Sequence, residues 1–83
     1  MAYLRWVPGS HWYVYWSTES GDTKETQVLC IDCTYNILYV DIKEKYNDIE
    51  SIQRNFGCGI KPARQLKEAF DRFIEDVDKK FYP

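Results

Sequence analysis

The chain has little of what a dedicated chemistry needs. It carries one histidine, an odd set of three cysteines, and no apolar run near the ~20 residues that span a membrane. It also lacks an excess of positive charge. Eleven lysines and arginines face 13 acids, for a net charge of −2 and a pI near 5.3. Double-stranded DNA binders neutralise phosphates with a basic balance, so the charge argues against that class. The segment MAYLRWVPGS has neither the basic start nor the apolar stretch of a secretory leader. With no secretion signal, Cys30, Cys33 and Cys58 read as reduced thiols, and a cytoplasmic location is expected. No internal repeat, low-complexity tract or linker interrupts the 83 residues, which suit a single domain over 1–83.

Aromatic residues are abundant, at 17% of the chain. In HWYVYW (11–16), four rings occupy six positions. Aromatic and β-branched residues favour the pleated, half-buried surface of a sheet. AYLRWV (2–7) and residues 11–18 therefore read as two strands joined at Pro8-Gly9 into a hairpin. After the polar stretch STESGDTKE, the runs TQVLCIDC (26–33) and YNILYVDI (35–42) read as third and fourth strands.

The remainder reads as helical. Asn47 with Glu50 three positions later resembles a capping box, Ile49, Ile52 and Phe56 recur with helical spacing, and Gly57 suits a helix end. Ile42 and Tyr46 extend that spacing backward, so this helix has an alternative start near Asp41. In the final helix Pro62 falls in the first turn. Leu66, Phe70, Phe73, Val77 and Phe81 follow at steps of four, three, four and four, with Ala63 and Ile74 on the same side. The expected fold is α+β: a four-stranded antiparallel meander followed by two helices packed on one face (β-β-β-β-α-α).

Alternation assigns the faces. Trp12, Val14 and Trp16, with Leu38, Val40 and Ile42, are expected under the helices. Tyr13, Tyr15, Tyr35 and Tyr39 then share the uncovered side, with Arg5, His11 and Tyr3 at its margins. Tyrosine combines a rigid apolar body with a hydroxyl, which suits recognition. The plainer alternative is that these tyrosines are ordinary strand formers with wet hydroxyls.

Other candidate sites carry less. Cys30 and Cys33 have Cys-x-x-Cys spacing, and with Cys58 and His11 they make a four-ligand set for zinc. The second tight pair of a structural site is missing, and a regular strand points Cys30 and Cys33 to opposite faces. Buried cysteines acting as small apolar residues are the alternative. Arg54, Lys61, Arg64 and Lys67 form a stretch without acids that suits electrostatic docking, or an anion at the helix start after FGCGIKPAR. His11 has no nucleophile motif beside it, and no carboxylate pair is placed for acid–base work, so no catalysis and no cofactor are expected. The expected function is a small non-catalytic protein-binding module. By analogy of size and character it suits an inhibitor or accessory protein of the kind mobile elements encode, engaging its partner through the tyrosine face or a sheet edge. Single-stranded nucleic-acid binding by ring stacking, a zinc-stabilised module and a homodimer through the tyrosine face are the alternatives.

Overall fold

Among the described residues, three short strands and three helices follow in order: β1 (Tyr3–Trp6), β2 (Trp12–Ser17), β3 (Thr23–Gln27), α1 (Tyr35–Lys45), α2 (Ile49–Phe56) and α3 (Ile60–Phe81). A computed structural model describes residues 2–7, 12–28 and 35–81, with the side chains of 35–37 excepted. The strands pair antiparallel in the order β1-β2-β3. The α+β class, the meander and the sequence of sheet then helices match the expectation, but the described residues form three strands and three helices rather than four and two.

The first hairpin pairs Tyr3 with Tyr15, Leu4 with Val14, Arg5 with Tyr13 and Trp6 with Trp12. The second closes through a tight turn. Thr18 N–H donates to Asp22 O (2.8 Å) and Gly21 N–H to Thr18 O (3.0 Å), with Gly21 at φ +94°. That positive φ suits glycine and places the turn just before β3. β3 is Thr-Lys-Glu-Thr-Gln, earlier than the expected 26–33. It has no apolar alternation to betray it. It forms because the turn folds it back on β2, where Val14 pairs with Thr26 and Trp16 with Lys24.

Residues 35–42, expected as a fourth strand, begin α1. Leu38, Ile42 and Tyr46 lie four apart and are all buried, whereas Val40 is 48% exposed. The sequence is rich in β-formers, but packing of one helical stripe on the core decides. α2 is capped by Asp48, one residue after the expected Asn47. The Asp48 Oδ1 accepts from Ser51 N–H at 2.7 Å. Gly57, at φ +63°, ends the helix with its N–H on Gln53 O. α3 buries Pro62, Ala63, Leu66, Ala69, Phe70 and Val77. Phe81, expected on this stripe, is half exposed.

The helices cover one face of the sheet. Trp12, Val14 and Trp16 enter a core with Leu38, Ile42, Tyr46, Ile52, Leu66 and Phe70. At its centre Tyr46 stacks on Phe70 (centroids 5.0 Å apart), and Phe56 stands edge-on to Trp16 at 6.1 Å. Trp16 Nε1 donates to Thr26 Oγ1 at 2.9 Å, so its one polar atom is satisfied. Among the described residues, no helix is long and apolar enough to cross a membrane.

Candidate functional site

The same alternation that sends Trp12, Val14 and Trp16 inward sends Tyr13 and Tyr15 to the other face. The register adds Tyr3 and Arg5 from β1, and Glu25 and Gln27 from β3. No described element packs over this face. Tyr3 and Tyr15, directly opposite one another, stack with centroids 5.0 Å apart and planes 17° apart. Cross-strand ring pairs of this kind add order as well as contact. Tyr3 stays 51% exposed, so the stack is a rigid apolar step held in water.

The electrostatics of the face are mixed. Arg5 and Glu25 flank Tyr15 from the two neighbouring strands. Partial loss of water raises the Tyr15 phenol above its ordinary pKa, the charge of Glu25 and its hydrogen bond to the phenol add to the rise, and Arg5 opposes it. The phenol is therefore a neutral donor at physiological pH.

Of the residues expected here, Tyr13, Tyr15 and Arg5 lie on this face. Tyr39 does not. It belongs to α1, where its hydroxyl donates to Asp78 Oδ1 on α3 at 2.6 Å and the Lys43 ammonium sits 4.7 Å from its ring centre. Tyr35 opens α1 and so is not on the sheet, and its side chain lies outside the described residues. His11, Cys30 and Cys33 also lie outside them. Tyr3, expected only at the margin, is central because the register sets it against Tyr15. Glu25 was hidden in a stretch that reads as a loop.

The basic stretch divides over two helices on the covered side of the sheet. Arg54 is on α2 and Lys61, Arg64 and Lys67 are on α3. Lys67 is bound to both oxygens of Asp71, at 2.8 and 3.1 Å. The Ser51 amide and hydroxyl hold the Asp48 carboxyl below the usual range, and the charges of Arg54 and Lys67 add to this. The start of α3 is also taken. The carboxylate of Glu19, from the β2–β3 turn, reaches Gly59 so closely that a Cβ there would collide with it. A carboxylate suits the positive end of a helix, so an internal acid occupies the position expected for an external anion. Cys58, beside it, is half-buried, and burial raises its thiol pKa. The thiol stays protonated at neutral pH in the metal-free chain. Among the described residues no group of three or more His, Cys, Asp or Glu side chains converges.

A second feature had no sequence signal. Between β1 and the C-terminal half of α3 runs a groove of about 380 Å³. Leu4, Trp12, Phe73, Val77 and Phe81 supply apolar walls, and Arg72, Asp76 and Lys80 supply charges. It arises from elements some 70 residues apart, joined where Arg72 Nη2 donates to Ala2 O at 3.1 Å. Compared with known proteins, the chain matches no family model, no curated protein and no solved structure.

Proposed function

We propose that the chain is a non-catalytic protein-binding module whose contact surface is the open face of the sheet, centred on Tyr3, Tyr13 and Tyr15 with Arg5 and Glu25 beside them. The observation that supports this is the Tyr3–Tyr15 stack on a face that no described element covers. Two rings already fixed against each other lose little freedom on binding, which is what makes tyrosine an efficient anchor. Arg5 and Glu25 steer the approach and reject like charges. An inhibitor or accessory role, acting by occupying a partner's surface, suits a small rigid module of this kind, and so does a site in the cytoplasm.

The separation of the basic residues from the rings favours this reading over nucleic-acid binding. Stacking proteins place cations along the same groove as their aromatics, whereas here, among the described residues, only Arg5 accompanies the tyrosines, with Glu25 beside it. The test compares wild type, Tyr3→Ser/Tyr15→Ser and Lys61→Glu/Arg64→Glu as baits for cross-linking in lysate, each confirmed folded by circular dichroism. A protein cross-linked at the sheet face and lost only with the tyrosine variant is the expected result. Retention by that variant, or recovery of nucleic acid that disappears steeply with salt, rejects the proposal.

A further inference from the structure

Which backbone groups line the outer edge of β1 follows from one hydrogen bond. Val28 N–H donates to Trp12 O at 2.9 Å, so the backbone of Trp12 faces β3. Along a strand that direction alternates, so Val14 and Trp16 also face β3 while Tyr13 and Tyr15 face β1. Their partners Arg5 and Tyr3 are then the hydrogen-bonded residues of β1. The N–H and C=O groups of Leu4 and Trp6 point away from the sheet, where no described strand meets them. Ala2, two residues earlier, points the same way, and its carbonyl is the one that Arg72 reaches.

Among the described residues, the edge of β1 is guarded less than that of β3. Natural edges are blunted by charge, by proline or by a covering element. β3 follows that practice, with Lys24 and Glu25 among five polar residues. β1 offers Tyr-Leu-Arg-Trp, with Tyr3 51% and Trp6 41% exposed, and the apolar groove beside it.

We infer that this edge pairs with a second copy of the chain, β1 against β1 antiparallel about a two-fold axis, to make one continuous six-stranded sheet. Matching faces allows only registers that pair residues of the same parity. Pairing Arg5 with Arg5 sets like charges directly opposite and is disfavoured. Pairing Leu4 with Leu4 has the outward amides and carbonyls of the two leucines exchange hydrogen bonds. It also sets Tyr3 opposite Arg5 of the second copy on the open face, a ring beside a guanidinium, and brings the Trp6 amide to the carbonyl of Ala2, whose second lone pair is available beside Arg72. The groove fits the same partner, because it holds both signs, Arg72 and Lys80 with Asp76, and so is complementary to itself across a two-fold axis. A partner charged with one sign would leave one of these uncompensated. This assembly does not depend on the tyrosine face binding anything.

The test is sedimentation equilibrium of the full chain over a dilution series, with amide exchange on the same samples. Wild type is expected to dimerise, and exchange at Leu4 and Trp6 to slow by on the order of tenfold or more as concentration rises. Leu4→Pro removes one outward amide and is expected to be monomeric. Glu25→Pro removes an outward amide from the other edge and is expected to dimerise like wild type. A wild-type monomer at every concentration overturns the inference, as does a dimer in which the Leu4 and Trp6 amides stay unprotected. The exchange result decides the matter if Leu4→Pro does not fold. Tyr15→Ser is expected to leave the dimer intact, so loss of partner binding and loss of dimerisation are separate outcomes.

Discussion

Trp16 and Tyr15 are neighbours in sequence and opposites in environment. Trp16 is 4% exposed, edge-on to Phe56 and hydrogen-bonded to Thr26. Tyr15 is half-buried and stacked on Tyr3, with its hydroxyl among charges. The crowding of rings in HWYVYW thus has two causes on one strand. Tryptophans give a small domain enough apolar area to bury, and tyrosines cover the other face without making it fully apolar. The largest expected effect breaks this contrast directly. Trp16→Ala should lower stability by about 3–5 kcal/mol, as for other buried ring truncations. Tyr15→Ala should lose about 0.5–1.5 kcal/mol, the worth of one ring pair. Urea unfolding of both variants measures the difference, and equal losses would mean that the two faces are not distinct.

The face assignment of β2 was legible in the sequence because alternation on a strand is strict, and Trp12, Val14 and Trp16 are indeed buried. α3 was legible for the same reason at helical period, along with Gly57 as a terminator. On its outer side Lys67–Asp71 and Glu75–Lys79, each four residues apart, form ion pairs at 2.8 and 3.1 Å. Residues 35–42 misled because both periods fit them: Leu38, Val40 and Ile42 alternate as in a strand, while Leu38, Ile42 and Tyr46 repeat as in a helix. Val40 decides between the two, because it is left 48% exposed while Leu38 and Ile42 join the core with Leu66 and Phe70 of α3, far along the chain. β3 was obscured by its polar composition. Half of the candidate site was therefore visible, Tyr13, Tyr15 and Arg5 on local alternation. Tyr3 as the stacking partner depends on hairpin register, and the groove depends on packing between the ends of the chain. Neither leaves a local signal.

The roof over the tryptophan face sharpens the comparison next. If α1 covers the core as a helix, Leu38→Ala should cost about 2–5 kcal/mol, since Leu38 is fully buried. Val40→Ala should change stability by no more than about 0.5 kcal/mol, as expected at an exposed position. A strand would bury both residues on one face and make both substitutions damaging. The paired unfolding midpoints therefore test the element that the sequence reading assigned wrongly, and with it the claim that the helices leave the tyrosine face alone.

The smallest effect lies on the open face. Because the folded pKa of the Tyr15 phenol is raised, the folded state holds a proton that the unfolded chain releases near its ordinary value of about 10. Below that pH both states are protonated and stability is unaffected by this group. As pH rises past it, toward the folded value, stability falls. Comparing phenolate absorbance of wild type with Tyr15→Phe isolates this titration among the seven tyrosines. Replacing Glu25 with glutamine removes the charge that adds to the rise, and should move the titration to lower pH while leaving Trp16 fluorescence unchanged. If the titration does not move, the chemistry of the face is set by desolvation alone, and Glu25 has no part in presenting Tyr15 as a neutral donor. If the fluorescence shifts as well, the two faces are coupled through β2, and the separation between Trp16 and Tyr15 fails at its most sensitive point.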